Sequence, residues 1–292
     1  MKSRAIRDLA AVPMAITALA WTAGARAADV VNISSCQMLR MPNTVYRLIA
    51  DLSSCGTCLI VANNRITINL QGHSITGSCD PSMAPDVVPT GISDGGTARD
   101  LTTVRDGSIF GFRHGVDLFF STRSQLLNVE ASWNEFYGIR LGQNSLAKGC
   151  SAAHNGFNGV TVGDRSEVRG CDVRFNGTEE NGGNGIFAGD HCLVTQNRAH
   201  DNVENGIATG GFCTVSFNTA SHNADDGIDV GADEDLDGRH SLIAHNTTND
   251  NGDIGIEAAC PSAVTFNASS GNRRLNYSLV DSDAPCHTVG NK

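Results

Sequence analysis

The residues of this chain whose types and spacing can do chemistry fall into three sets. The first is acidic: Asp225-Asp226-Gly227-Ile228-Asp229, followed by Asp233, Asp235, Asp237 and Gly238. Alternate carboxylates converge on one hard cation and a glycine permits the sharp turn, so Asp233-x-Asp235-x-Asp237-Gly238 reads as the first half of a calcium loop. The second half fails, because Ala244 stands where such a loop carries its bidentate Glu. The chemical reading is Ca2+ held by Asp229, Asp233, Asp235 and Asp237; the plain alternative is a solvated acidic loop. The second set is Lys148, Arg169, Asp172, Arg174 and His200. Cations beside carboxylates neutralise an anionic substrate and lower the pKa of a neighbouring base. An exposed charged face that keeps the protein soluble is the alternative.

The third set is the ten cysteines: Cys36, Cys55, Cys58, Cys79, Cys150, Cys171, Cys192, Cys213, Cys260 and Cys286. Cys55-Gly56-Thr57-Cys58 has redox spacing, but it runs into the strand-like Leu59-Ile60-Val61 and not into a helix N-terminus that would favour a thiolate. Disulfides are the expected state, with a four-cysteine zinc site the alternative. There is no H-E-x-x-H, G-x-S-x-G or P-loop pattern.

The chain of 292 residues has 31 acidic and 21 basic side chains, which leaves no electrostatic footprint for nucleic acid. Its 40% hydrophobic content is too high for a disordered chain. Gly is abundant and aromatics make only 5%, a composition of many tight turns. Lys2, Arg4 and Arg7, the apolar stretch Leu9 to Trp21 and Ala25-Arg26-Ala27 have the layout of a secretory leader over residues 1–27. The apolar stretch is too short to span a bilayer. A secreted or periplasmic, acidic protein is the expectation, and export favours disulfides.

What must position these groups is a repeat. A Gly-Ile or Gly-Val pair recurs at Gly91, Gly115, Gly138, Gly159, Gly185, Gly206, Gly227 and Gly255, with steps of 24, 23, 21, 26, 21, 21 and 28. A second marker keeps the same register through Asn128, Cys150, Cys171, Asn197, Asn218, Asn246 and Asn267. A third follows at Asn134, Asn155, Asn176, Asn202, Asn223, Asn251 and Asn272. Runs of three to five residues with period-2 alternation, broken by Gly and Asn, are strands and turns. A unit of 21 residues is too short for a βαβ crossover and cannot bury its own apolar face, so units must stack. Stacking predicts aliphatic columns such as Val168, Val194, Val215, Ile243 and Val264, with the Asn ladders at turns bonding the copies above and below. In that register Lys148 lies over Arg169, Asp172 over Arg198, and Arg174 over His200. Cys150 and Cys171 coincide, as do Cys192 and Cys213, as cross-coil disulfides or as stacked buried thiols.

At Asn64-Arg-Ile-Thr-Ile-Asn-Leu-Gln-Gly-His-Ser-Ile-Thr-Gly77 and in the recurrent N-x(3–8)-G-[IV] units, the chain resembles the parallel β-helix proteins with pectate-lyase-like architecture. The resemblance covers roughly Leu59 to Asn272 and implies an all-β fold, a right-handed parallel β-helix of about nine coils with capped ends. Residues 28–58 are the expected N-terminal cap, 59–272 the β-helix, and 273–292 a C-terminal cap closed through Cys286 and Cys260. The family includes polysaccharide lyases, hydrolases, epimerases, periplasmic accessory proteins and surface proteins. The implied partner is a polysaccharide or cell-surface glycan, and Lys148, Arg169, Asp172, Arg174 and His200 become candidate catalytic residues of a calcium-assisted lyase. A non-catalytic periplasmic accessory, structural or surface-binding role is the alternative. A solvent-facing Trp133/Phe136/Tyr137 group favours sugar binding, and its burial removes that support.

Overall fold

The computed structural model describes residues 28–78, 89–231, 239–280 and 284–292. Among them every regular element is a strand and every strand pairing is parallel, in one eleven-stranded and one twenty-stranded sheet. The chain is a parallel β-helix of about eleven coils. The count exceeds nine because strands at Gln37–Leu39, Leu59–Val61 and Leu275–Val280 join the smaller sheet without a Gly-[IV] marker. Residues 28–58 thus contribute Asp29–Ile33, Gln37–Leu39, Thr44–Leu48 and Leu52–Ser54 to the same two sheets as the rest. His287–Val289 likewise extends the larger sheet at the far end.

One coil shows the plan. Val160–Val162 lies in the smaller sheet, then Glu167–Arg169 and Asp172–Arg174 form two facets of the larger one. Three corners join them, each a residue at positive φ followed by a buried side chain: Arg165 (57°) then Ser166, Gly170 (63°) then Cys171, Phe175 (53°) then Asn176. Left-handed residues turn the chain through one peptide, and Asn, His and Asp tolerate that region best. Along Arg123 to Phe266 the first and second corners, and the second and third, are always five residues apart. All variation in repeat length therefore falls between a third corner and the next first corner.

The aliphatic column of Val168, Val194, Val215, Ile243 and Val264 is in register and fully buried, as the period predicts. The outward-facing cross-coil pairs Lys148–Arg169, Asp172–Arg198 and Arg174–His200 are in register too. The Asn ladders bond copy to copy: Asn134 Nδ2 donates to Asn155 Oδ1 at 2.9 Å, and Asn155 Nδ2 to Asn176 Oδ1 at 2.9 Å. Two details differ from the sequence reading. The ladder Asn is not the left-handed residue; the residue before it is, as at His154 and Phe217. And Asn128 is itself such a corner, in register with Gly149, so that Val129 holds the ladder position beside Cys150. The repeat Gly is explained by the same ladder: a Cβ on Gly138 would stand 2.6 Å from Asn155 Nδ2 and 2.7 Å from the Gly159 carbonyl.

Cys36–Cys58 and Cys260–Cys286 are disulfides near the two ends, and Cys55 is disulfide-bonded too. Both CxxC cysteines are therefore engaged, which leaves no redox pair or zinc site there. Cys150, Cys171, Cys192 and Cys213 are buried free thiols, so the stacked-thiol alternative holds. They are ladder members: the backbone N–H of Ser166 donates to Cys192 Sγ at 3.4 Å, and that of Cys192 to Cys213 Sγ at 3.2 Å. Cys79 lies outside the described residues.

Candidate functional site

The strand Asp172–Arg174 turns Asp172 and Arg174 outward and buries Val173, and the next coil places His200 beside Arg174. Asp172 is ion-paired with Arg174 through one oxygen, while its other oxygen lies 3.4 Å from His200 Nε2. His200 Nδ1 lies 2.6 Å from Asp201 Oδ2, and the imidazole is only 12% exposed. The Asp201 carboxylate accepts from Nδ1–H at 2.6 Å, which leaves Nε2, 3.4 Å from Asp172, as the nitrogen that carries the lone pair. This arrangement can take a proton from a carbon acid whose own negative charge Arg174 meets.

Of the five residues singled out as catalytic, the structure brings together Asp172, Arg174 and His200. Lys148 and Arg169 stack on each other one facet away, beyond the second corner, with Arg169 Nε 3.2 Å from Glu167 Oε1. Sequence reading missed Asp201, which sits at a third corner (φ 57°) in register with Phe175 and invites attention only once the corners are known. It also gave His154 no role. At that same corner Trp133, His154 and Phe175 stack ring on ring, with centroids 4.0 and 5.0 Å apart and interplanar angles of 13° and 10°. Phe175 then meets the His200 ring edge-on at 6.0 Å. A groove of about 480 Å³ follows the stack, lined by Trp133, Glu135, His154, Gly156, Phe175 and Thr178. Trp133 is 64% exposed, whereas Phe136 and Tyr137 are half-buried and pack with Phe157, so the aromatic group faces solvent in part.

Round the bend towards the smaller sheet, Arg140 grips Asp117 with two bonds of 3.0 and 2.9 Å and lies over Phe119 and Tyr137. His114 stacks on Tyr137 at 5.4 Å, and burial pulls its pKa down to about 4.

Four coils beyond Arg140, the smaller sheet carries the acidic group. Asp225, Asp226 and Asp253 present carboxylate oxygens within 4.8 Å of one another. Asp229 is buried and in register with Glu257. Asp233, Asp235 and Asp237 lie outside the described residues. Asp226 occupies a column that reads Asn158, Asn184 and Asn205 in the preceding coils, and like them it accepts a backbone N–H, here from Ile254 at 2.8 Å. Burial pushes its pKa up to about 8; the Ile254 bond opposes this, and Asp225, Glu257 and Asp229 add to it. The native state therefore holds a proton that the unfolded chain releases near the ordinary value of 3.8. That contribution to stability is whole below about pH 4 and is lost as pH rises through 8. In chelator, unfolding free energy is expected to fall between pH 5 and 8 by up to about 1.4 kcal/mol per unit. Asp226→Asn, which restores the column's own residue, is expected to flatten that slope. Urea midpoints at pH 5 and pH 8 check it, and an equal slope in both proteins refutes the assignment.

No family model and no curated protein matches this chain. Solved structures do. The A-module of a mannuronan C-5 epimerase from Azotobacter vinelandii superposes with a TM-score of 0.64 at 13% identity, over 90% of this chain and 83% of that one. A periplasmic alginate epimerase gives 0.57 at 12% identity, over 90% and 76%. An alginate lyase from Paenibacillus sp. str. FPU-7 gives 0.58 at 11% identity, over 89% and 99%. At such identities the likeness is one of fold, the right-handed parallel β-helix.

Proposed function

We propose that this chain is an exported polysaccharide-directed β-helix protein that removes the C5 proton of a uronate unit, with His200 as base. The observation that carries the reading is the Arg174–Asp172–His200–Asp201 group at the end of an exposed aromatic stack. Asp201 orients His200 so that Nε2 takes the proton, Asp172 stabilises the imidazolium, and Arg174 meets the uronate carboxylate as charge develops on it. In elimination, the C5–H electron pair becomes the C4–C5 double bond, the C4–O bond breaks, and the leaving oxygen receives a proton. In epimerisation, water on the opposite face gives C5 a new proton, and His200 releases the one it took to solvent. Lys148 and Arg169, on the neighbouring facet, would bind further carboxylates of the same chain. The structurally similar mannuronan and alginate epimerases and alginate lyase support the substrate class. The disulfides and the leader-like residues 1–27 support export. Among the described residues no helix is long and apolar enough to cross a membrane.

Calcium belongs to the same reading. The donor set fits a hard divalent cation, since Asp225, Asp226 and Asp253 offer only carboxylate oxygens and Asp229 lies beside them. When bound, the ion would neutralise substrate carboxylates along the smaller sheet.

The test is product analysis on alginate and other polyuronates, with calcium and with chelator. Unsaturated ends are the expected product of elimination, and a changed ratio of uronate epimers without chain cleavage that of epimerisation; either is expected to weaken in chelator. New reducing ends without unsaturation would replace this chemistry with hydrolysis. A folded protein that changes no polyuronate yet is retained by one in an affinity gel would be a binding module.

A further inference from the structure

The corner stack ends abruptly on one side. One face of the Trp133 indole rests on His154 at 4.0 Å, its only ring contact among the described residues. Its other face looks towards the preceding coil, where the residue in register is Gly111, whose N–H donates to the Trp133 carbonyl at 3.1 Å. One coil further, the same column holds Gly77. Two successive glycines therefore stand where the next three coils carry a ring, and the indole rises at the end of a backbone shelf two coils, or about 10 Å, deep. The atoms nearest a Cβ added at Gly111 are those of the Gly77 backbone, the first at 3.2 Å. The rim is polar, with Glu135 and Thr76 exposed beside it. An indole 64% exposed with one face stacked and the other bare is a flat apolar surface held rigid from behind.

We infer that the bare face of Trp133 is a stacking platform for one pyranose ring of a bound glycan. A pyranose presents an apolar C–H face and a hydroxyl edge, which is the pattern of this shelf: π face behind, polar rim around. His200 lies three coils beyond Trp133, about 14 Å along the axis, on the side away from the shelf. The platform therefore holds a ring several units from the one that reacts. It acts on long chains and not on short ones, and it deepens the polysaccharide reading without depending on which uronate is processed.

The full chain has two tryptophans, Trp21 and Trp133, so a Trp21→Phe protein reports Trp133 alone by fluorescence. Titration with alginate and, separately, with cellohexaose is expected to shift its emission saturably. Gly111→His continues the ring stack, using a residue that the same column already holds at positive φ (His154 and His222), and covers the platform. It is expected to abolish the shift at unchanged melting temperature. Gly111→Asn tolerates the same backbone without a ring and is expected to keep it. Trp133→Ala is expected to weaken retention of long alginate by about three- to tenfold, with short oligomers unaffected. Alginate that is bound or converted while Trp133 emission stays constant overturns the platform and leaves the proposed function standing. A response to cellohexaose without any action on a uronate keeps the platform and removes the uronate chemistry. Silence towards both glycans overturns the platform.

Discussion

Asn218→Ala is expected to remove about 3–6 kcal/mol of unfolding free energy, enough to unfold much of the protein at ambient temperature. The side chain is 1% exposed and fully engaged. Its amide donates to the Val194 carbonyl at 2.9 Å and to Asn246 Oδ1 at 3.0 Å, while Oδ1 accepts from the Asn197 backbone at 2.9 Å and from Asn197 Nδ2 at 3.1 Å. Alanine takes the acceptor from the Asn197 backbone N–H and from one hydrogen of its amide, whose other hydrogen stays on the Val168 carbonyl, and removes a donor from the Val194 carbonyl, each loss costing about 1–3 kcal/mol. Coils contact only their neighbours, so the break cuts the ladder at its middle. Thr219→Ala, next in sequence but exposed, is the control and is expected to change stability by less than about 0.5 kcal/mol. Denaturant unfolding of the two variants decides. A loss below 1 kcal/mol for Asn218→Ala would mean that the ladder accompanies the fold and does not hold it.

His200→Gln is expected to lower turnover on a polyuronate by about 10²–10⁴-fold, the range for removal of a positioned general base. Glutamine keeps a polar group opposite Asp172 and Asp201 but cannot take the proton. Because the group touches the reacting centre and not the distant rings of the chain, the loss is expected in kcat with KM nearly unchanged. Asp201→Asn leaves the base in place without fixing its tautomer and is expected to give a smaller loss. Equal melting temperatures separate these effects from misfolding. Turnover of His200→Gln within a factor of two of the parent would move the base elsewhere, and the search would pass to Lys148 and Arg169.

Much of the scaffold is legible in the sequence because stacking turns one-dimensional period into three-dimensional register. Spacing alone puts Arg174 beside His200 and Val168 beneath Val194, since a 26-residue step and a 21-residue step both mean one coil. Legibility fails where the marker changes chemistry. Asn128 looks like a ladder residue by type but is a corner by backbone, and Val129 does the ladder's work of filling without its hydrogen bonds. The end coils were unreadable for a related reason: Gln37–Leu39 and Leu275–Val280 have nothing above or below that demands Gly-[IV]. Asp201 and the Trp133–His154–Phe175 stack were hidden because corner positions accept many residue types. Their common feature is a positive φ, which leaves only a weak compositional trace. Asp226 shows the opposite case. It breaks an Asn column, and the break is visible only after the column Asn158, Asn184, Asn205 has been drawn.

The unequal arcs of the coil have a consequence for how such a molecule can change over time. From Arg123 to Phe266 two of the three arcs hold to one length, while the third lengthens in the coils that follow Phe175 and His222. An insertion in a short arc would shift every later ladder residue out of line with its copies, whereas the long arc can swell outward and return to register. Novelty in chain length is thus confined to the third arc, before Ile186–Ala188 in one coil and after Ile228–Val230 in the other. On the remaining two sides change must come by swapping residues or by gaining and losing whole coils, as a ruler is altered only in complete divisions.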